Sequence, residues 1–272
     1  MVSLTRRWFV TGGALVLAAA AADLEPAPAQ TAPPSVGPAD PRLVEDLVAA
    51  NRILADQNVL DGYGHVSARH DRDPSRYLMS RSLAPELVTA GDVLEYDLDS
   101  SPVDARDRAS YLERFIHGEI YKARPDVRAI VHNHSPSVIP FGVTGVPLRP
   151  LYHMSAFLWE GVPVFDIRQA AGGSSDMLVR TPALGRALAG TLGSRTAALM
   201  RGHGAVVVGP SLPQAVFRSV YLEMNARLQA QAMALGGPVT YLDPEEAKQA
   251  AGAVGSTVLR PWELWKKKAL AK

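Results

Sequence analysis

Residues 126–135 read DVRAIVHNHS, an apolar run that ends in two histidines one residue apart. The run is typical of a strand, and side chains at positions i and i+2 of a strand point to the same face. His132 and His134 are therefore expected to project together and to bind one cation, and zinc accepts imidazole nitrogens at about 2.0–2.1 Å. The other interpretation is a pair of histidines satisfied by hydrogen bonds at a strand end.

The segment before this strand, ASYLERFIHGEIYKAR at 109–124, is predicted to be a helix that ends before Pro125. Glu113 and His117 lie four residues apart on it and share a face. The helix is expected to pack back on the strand, so Glu113 can reach the two histidines. A carboxylate beside a divalent ion can act as a general acid or base. The alternative is a solvated helix glutamate.

A third histidine, His203, lies between Gly202 and Gly204 in the segment RGHGAVVVG. Glycine permits a tight backbone turn that exposes the imidazole, which suits a third metal ligand. The alternative is a hairpin corner with an incidental histidine. Three histidines with one open coordination position are typical of a catalytic metal site.

The remaining patterns predict one α/β domain over residues 41–272, a mixed sheet covered by helices on both faces. An amphipathic helix opens at Pro41. Further strands are expected within 61–70, 75–82, 92–100, 162–166 and 196–209, and further helices over 181–193 and 212–235 and from Pro244 and Pro261.

The charge balance and the absence of cysteine disfavour some partners and metal ligands. Lys and Arg number 28 against 27 Asp and Glu, which gives no reason to expect nucleic acid as a partner. Cysteine is absent, which excludes disulfides and thiolate metal ligands. A bound metal would therefore depend on nitrogen and oxygen ligands.

The N-terminus has the pattern of an export signal. Arg6 and Arg7 precede an apolar run over residues 8–22 that is too short to span a bilayer comfortably, and Ala27 and Ala29 fit a small-x-small cleavage site. We predict a twin-arginine-type signal peptide at 1–29, a disordered proline-rich linker at 30–40, and a periplasmic protein with no stable membrane span after cleavage. An ordinary secretory signal or a membrane anchor is the alternative.

The chain resembles the class II aldolase/adducin family in the segments GYGHVSAR, LMSRS…LVTAGDVLEYDLD, LERFIHGEIYKARPDVRAIVHNHS and LMRGHGAVVVG. The similarity covers roughly residues 43–232. It implies a mainly antiparallel sheet in a three-layer αβα domain, often assembled as a homotetramer. It also implies one divalent metal per subunit, zinc above manganese, cobalt or iron, held by His132, His134 and His203. The resemblance makes Glu113 the catalytic acid/base.

Three departures from that family concern phosphate binding. The sugar-phosphate members have an asparagine where this chain has His65, a Ser/Thr-Gly pair where it has Ser82 and Leu83, and a serine pair where it has Tyr111 and Leu112. Leucine and tyrosine offer neither a close backbone approach nor a compact hydroxyl for a phosphate. We therefore expect that sugar-phosphate binding is lost.

Other residues are assigned to the substrate and to proton transfer. His65, Arg81, Ser82 and Tyr111 are the predicted substrate-binding residues, and Arg81 could hold a carboxylate in bidentate fashion. The resemblance places a proton-transferring tyrosine of a neighbouring subunit at His153 or the adjacent Tyr152.

Three functions remain open. The first is a metal-dependent lyase that cleaves a carbon–carbon bond of a non-phosphorylated hydroxy, oxo or aromatic carboxylic acid through a metal-stabilised enolate. The second is an aldolase or epimerase acting on a sugar-type small molecule. The third is a non-catalytic adducin-like scaffold, and the retained metal histidines disfavour it.

Overall fold

The histidine-bearing strand lies in the middle of a seven-stranded sheet. The computed structural model describes residues 32–271 of the chain. Its strands are β1 His65–Arg69, β2 Arg76–Ser80, β3 Val93–Asp97, β4 Ala129–Asn133, β5 Val164–Phe165, β6 Ala197–Met200 and β7 Gly204–Gly209. The order is β3-β2-β1-β4-β7-β6-β5, and only β5 and β6 pair in parallel. The predicted mixed, mainly antiparallel sheet is confirmed.

Helices cover both faces of this sheet, as predicted. They are α1 Pro41–Asp56, α2 Phe115–Ala123, α3 Ile139–Thr144, α4 Ile167–Ala171, α5 Pro182–Leu192, α6 Leu212–Ala234, α7 Pro244–Gly255 and α8 Leu259–Leu270. One apolar cluster joins the sheet to α1, α6 and α8, and a second joins it to α2 and α5. None of the helices in residues 32–271 combines the length and apolarity needed to cross a membrane.

Alternation along β4 decides which face carries the site. Ala129 and Val131 belong to the cluster under α1 and α6, and Ile130 belongs to the cluster under α2 and α5. Since side chains two residues apart share a face, His132 points to the α2 side with Ile130. His65 pairs with His132 across the β1–β4 ladder, so it opens on the same side.

The predicted signal peptide, 1–29, lies outside the described residues. Of the predicted linker, residues 32–40 are described, and they contain neither helix nor strand. Ser35 Oγ donates a hydrogen bond to Glu95 on β3 at 2.6 Å, and the Val36 N–H donates to the same carboxylate at 3.2 Å. Asp40 then caps α1 by accepting the Arg42 N–H.

Both edges of the sheet are short or covered. Along β3, the Asp97 N–H donates to the Ser101 carbonyl at 3.0 Å and the Val103 N–H donates to the Glu95 carbonyl at 2.9 Å. The segment 101–103 therefore lies along the outer side of β3. The opposite edge, β5, is two residues long.

The structure corrects some predicted helix boundaries. The helix predicted over 109–124 begins only at Phe115, and residues 112–114 form a turn before it. Arg114 at the helix start makes no side-chain cap, so the sequence carries no capping signal there. The last helix begins two residues before Pro261, and the short helices α3 and α4 were not predicted.

Candidate metal centre

β4 fixes the first of the clustered histidines. His132 is fully buried, and its Nδ1 lies 3.2 Å from the carbonyl oxygen of Ala205 on β7. A carbonyl oxygen only accepts, so Nδ1 carries the proton and Nε2 keeps its lone pair. That buried Nε2 has no hydrogen-bond partner among the described residues. A cation would satisfy it.

The turn between β6 and β7 presents His203. Its Nδ1 lies 3.1 Å from the Met177 carbonyl oxygen, so Nδ1 carries the proton and Nε2 keeps a lone pair. A Cβ on Gly204 would collide with the Asn133 carbonyl oxygen, so only glycine allows β7 to approach the end of β4 this closely. The glycine pattern around His203 therefore reflects packing against β4 as well as a turn.

Glu113 completes the cluster from the turn before α2, rather than from the face of a helix. Its Oε1 accepts the Val179 N–H at 2.9 Å, and its Oε2 lies 3.5 Å from His132 Nε2 and 3.4 Å from His203 Nε2. His134, one residue beyond β4, places Nε2 at 3.2 Å from His203 Nε2. One ligand atom from each of the four residues lies within 4.8 Å of the others.

The electrostatics of the cluster suit a cation. Burial, together with the neighbouring His132 and His203, lowers the pKa of His134 to about 4. Burial alone would raise the pKa of Glu113, but the neighbouring His132 and His203 hold it below its ordinary value. A carboxylate beside unprotonated imidazoles is a donor set that fits a divalent ion such as zinc, and it does not distinguish zinc from its neighbours.

A cavity of about 340 Å³ adjoins the cluster. Its wall includes Glu113 and His134, and it is otherwise lined by Gly62, Tyr63, Gly64, His65, Ser82, Leu83, Ala84, Tyr111, Leu112 and Leu178. Three of the four predicted substrate-binding residues, His65, Ser82 and Tyr111, thus lie on one cavity beside the donor atoms.

The same wall shows what replaced the expected phosphate-binding groups. The Tyr111 hydroxyl donates to the Leu83 carbonyl at 2.6 Å, and the Tyr111 ring lies 4.5 Å from the His65 ring, centroid to centroid. Burial raises the pKa of Tyr111. Tyrosine and leucine side chains therefore occupy this wall, which makes it largely apolar.

The structure does not bring the other predicted residues to this cavity. Arg81 Nε contacts Asp92 Oδ1 at 2.6 Å, and Arg81 is not among the lining residues. Tyr152 and the exposed His153 lie where a 3₁₀ segment, His153–Leu158, packs against α6 and α7. Burial raises the pKa of Tyr152 to about 12. Within a single subunit, neither residue lines the cavity.

The segment 177–179 is the part of the site that the sequence did not indicate. Met177 and Val179 fix His203 and Glu113 through their backbone, and Leu178 lines the cavity. Backbone contacts of this kind depend on no residue type, so no motif signals them. The left-handed φ of 68° at Met177 is invisible in the sequence as well.

Comparison with known proteins agrees with this geometry. A decarboxylase of Talaromyces stipitatus, tropJ, is 38% identical over 244 residues, which cover 82% of this chain and 92% of that protein. The 3,4-dihydroxyphthalate decarboxylase of Arthrobacter keyseri is 30% identical over 229 residues, 78% of this chain and 87% of that protein. The L-fuculose 1-phosphate aldolase of Glaciozyma antarctica superposes with a TM-score of 0.70 at 25% identity, covering 87% of this chain and 94% of that one.

Decarboxylation and aldol cleavage both break a carbon–carbon bond. The prediction of a carbon–carbon lyase is therefore confirmed, and the non-catalytic scaffold is disfavoured. The sequence model that matches residues 45–230 is the class II aldolase and adducin N-terminal domain. With the sheet, the histidine cluster and these relatives in agreement, the chain belongs to the class II aldolase/adducin family.

Proposed function

We propose that this protein is a divalent-metal-dependent decarboxylase of hydroxylated aromatic carboxylic acids. The observation that carries the proposal is the largely apolar cavity beside the four donor atoms. Tyr111, Leu83, Leu112 and Leu178 give it walls that suit a flat ring. The two relatives named as decarboxylases support the same reaction class.

The cavity wall also argues against a sugar phosphate. A phosphate needs several backbone N–H groups or compact donors that converge on it. Here the Tyr111 hydroxyl is occupied by the Leu83 carbonyl, and the Leu112 side chain is exposed beside it. Arg81, which precedes the cavity residue Ser82, pairs with Asp92.

The metal would be held by Nε2 atoms of His132 and His203 together with His134. Both Nδ1–H groups that face backbone carbonyls keep those two rings in the ligating tautomer. When bound, a divalent ion supplies Lewis-acid stabilisation of negative charge on a substrate oxygen.

Glu113 is the proposed proton carrier. Its Oε1 is held by the Val179 N–H, and its Oε2 faces the cluster, so one oxygen positions the group and the other is free to react. As a carboxylate, it takes the proton of the substrate phenol. The same proton then goes to the ring carbon as its bond to the carboxyl carbon breaks and carbon dioxide leaves. Solvent protonates the phenolate product.

Carbon dioxide release by the zinc-loaded protein tests this function. The panel would contain hydroxylated benzoates and 2-oxo acids, with His203→Ala as the blank. Release from a hydroxylated benzoate above that blank is expected. Aldehyde release from a sugar-type substrate, with no carbon dioxide from any acid, would instead favour the aldolase.

Glu113→Gln tests the proton carrier. The amide can still accept the Val179 N–H, but it cannot carry a proton, so we expect bound metal to remain and kcat to fall about 10²–10⁴-fold. Glu119→Gln is the matched control, because Glu119 is equally buried and pairs with Lys122 outside the cavity. Wild-type turnover by Glu113→Gln would remove Glu113 from this role.

Two sequence-based expectations are kept as proposals. We propose export by the twin-arginine route, supported by Arg6 and Arg7 before the apolar run. We also propose a homotetramer in which Tyr152 or His153 of one subunit serves the site of its neighbour. Cell fractionation of an Arg6→Lys, Arg7→Lys double variant tests the first, and light scattering of the purified protein tests the second.

A further inference from the structure

Four buried polar side chains form a continuous hydrogen-bond series behind the cavity. His65 Nδ1 lies 2.6 Å from His117 Nε2, and His117 Nδ1 lies 2.6 Å from Ser67 Oγ. Ser67 Oγ lies 2.9 Å from the Tyr121 hydroxyl oxygen. His65 and Ser67 come from β1, and His117 and Tyr121 come from α2. The proposed decarboxylation mechanism does not use His117, Ser67 or Tyr121.

One arrangement of the protons pairs every donor of this series inside the core and leaves a single N–H, on His65, facing the cavity. Among the described residues, Ser67 Oγ is the only hydrogen-bond partner of the Tyr121 hydroxyl, so that hydroxyl must donate to it. Ser67 then donates its own proton to His117 Nδ1. His117 must donate through Nε2 to His65 Nδ1. His65 therefore keeps its proton on Nε2.

The reverse direction leaves a buried proton without a partner. If His117 donated to Ser67, Ser67 would donate to Tyr121, and the Tyr121 hydroxyl would have no acceptor. Tyr121 is 1% exposed and Ser67 is fully buried, so water cannot replace the lost bond without entering the core. An unpaired buried donor is costly, which fixes the direction of the whole series.

His65 is the member of this series that lines the cavity, so the direction of the hydrogen bonds decides which of its ring nitrogens carries a proton there. This side chain is 3% exposed and lines the cavity, and the hydrogen bond that it makes among the described residues is through Nδ1, which leaves Nε2 for a group in the cavity. We infer that the Ser67 hydroxyl, acting through His117, holds His65 as an Nε2–H donor, which selects substrates with an acceptor oxygen at that wall. The group recognised is an anionic oxygen, the carboxylate or phenolate of the aromatic acid. His117 and Ser67 are positioning residues that act through His65.

This inference deepens the proposed function and rests on it for the identity of the substrate. The tautomer itself can be measured without turnover. In ¹⁵N-histidine-labelled, zinc-loaded protein, protonated and unprotonated ring nitrogens resonate far apart, and the His65→Gln variant identifies the His65 signals. We expect a proton on Nε2 and none on Nδ1. A proton on Nδ1 of His65 in the wild-type protein would overturn the inference.

Ser67→Ala and Tyr121→Phe form a matched pair of variants. Each removes one buried hydroxyl of the series, but only Ser67→Ala removes the donor to His117 Nδ1. Without it, His117 can reverse, and we expect His65 to show a mixture of tautomers. In Tyr121→Phe the Ser67 proton still has His117 as its only acceptor, so the His65 tautomer is expected to stay unchanged. The assignment would be contradicted if His65 showed the same tautomer populations in both variants, or if Tyr121→Phe changed them more than Ser67→Ala.

Binding of 2,3-dihydroxybenzoate to the zinc-loaded protein gives the functional readout. We expect Ser67→Ala to weaken binding about tenfold, as for one lost charge-assisted hydrogen bond, with zinc content unchanged. With a turned-over acid, KM should rise by the same factor while kcat stays within about twofold. Unchanged affinity and KM in a folded Ser67→Ala protein with a mixed tautomer would refute the role of the donor.

The two proposals fail separately. Carbon dioxide release with an unprotonated His65 Nε2 would leave the decarboxylase intact and remove this inference. Binding of the aromatic acid through an Nε2–H donor, without carbon dioxide release, would keep this inference and remove the decarboxylase.

Discussion

His203 shows how a single side chain depends on its surroundings at this site. The Met177 carbonyl fixes its tautomer, and the neighbouring Gly204 allows the approach to β4. The sequence identified the residue from the flanking glycines. It could not identify Met177, because the contact is made by backbone.

The first prediction concerns His203→Ala. Removing one of three nitrogen ligands should reduce bound metal to background after dialysis, because two histidines bind a divalent ion much more weakly than three. Elemental analysis of purified protein measures this. His153→Ala, which alters an exposed histidine outside the cluster, is the control and should retain metal. Equal metal content in the two variants would disprove the ligand assignment.

The second prediction concerns the close approach at Gly204. Gly204→Ala places a methyl group against the Asn133 carbonyl, which should lower the free energy of unfolding by about 1–3 kcal/mol. Gly190→Ala is the control, because a Cβ there meets no atom within 4 Å and the residue lies in α5. It should gain up to about 1 kcal/mol from helix propensity. Urea denaturation measures both, and equal midpoints would contradict the packing argument.

At the scale of elements, the sequence predicted strands better than the start of α2. Alternating and apolar runs marked every strand, since buried faces require them. Glu113 was placed on a helix, whereas the structure puts it in a turn that ends at Arg114. Helix-forming residues fill that turn, and tertiary contacts such as Arg114 Nε with the Ser100 carbonyl at 2.9 Å decide its shape.

The start of α5 offers the third prediction. Thr181 caps this helix by accepting the Leu184 N–H, and Pro182 follows at the first position, as the sequence indicated. Thr181→Ala should lower the free energy of unfolding by about 1 kcal/mol. Thr191→Ala, inside the same helix, is the matched control and should be neutral or stabilising, because alanine favours helix interiors. A larger loss for Thr191→Ala in thermal denaturation would contradict this.

At the scale of the whole molecule, the cluster joins elements that are distant in sequence. Glu113 precedes α2, His132 and His134 lie at the end of β4, and His203 precedes β7. An unfolded chain cannot hold these four groups together. Binding of a metal by these groups would therefore be linked to folding of the entire sheet rather than of one loop.

The fourth prediction follows from that linkage. Chelation of the metal should lower the Tm, and added zinc should raise it again. When free zinc exceeds its Kd 100-fold, binding increases the free energy of unfolding by about 2.7 kcal/mol. His203→Ala should show no zinc-dependent change. Calorimetry measures both, and an identical Tm with and without metal in the wild-type protein would refute the linkage.

The two edges of the sheet limit pairing of strands between separate chains. An exposed, unpaired strand edge is a template for growth into aggregates by addition of further chains. The segment 101–103 occupies the outer side of β3, and β5 presents only two residues at the other end. Neither edge offers a long row of free backbone groups. Among the described residues, the helices and loops therefore offer more surface for assembly than the sheet edges do, and the topology reduces a misfolding risk common to large open sheets.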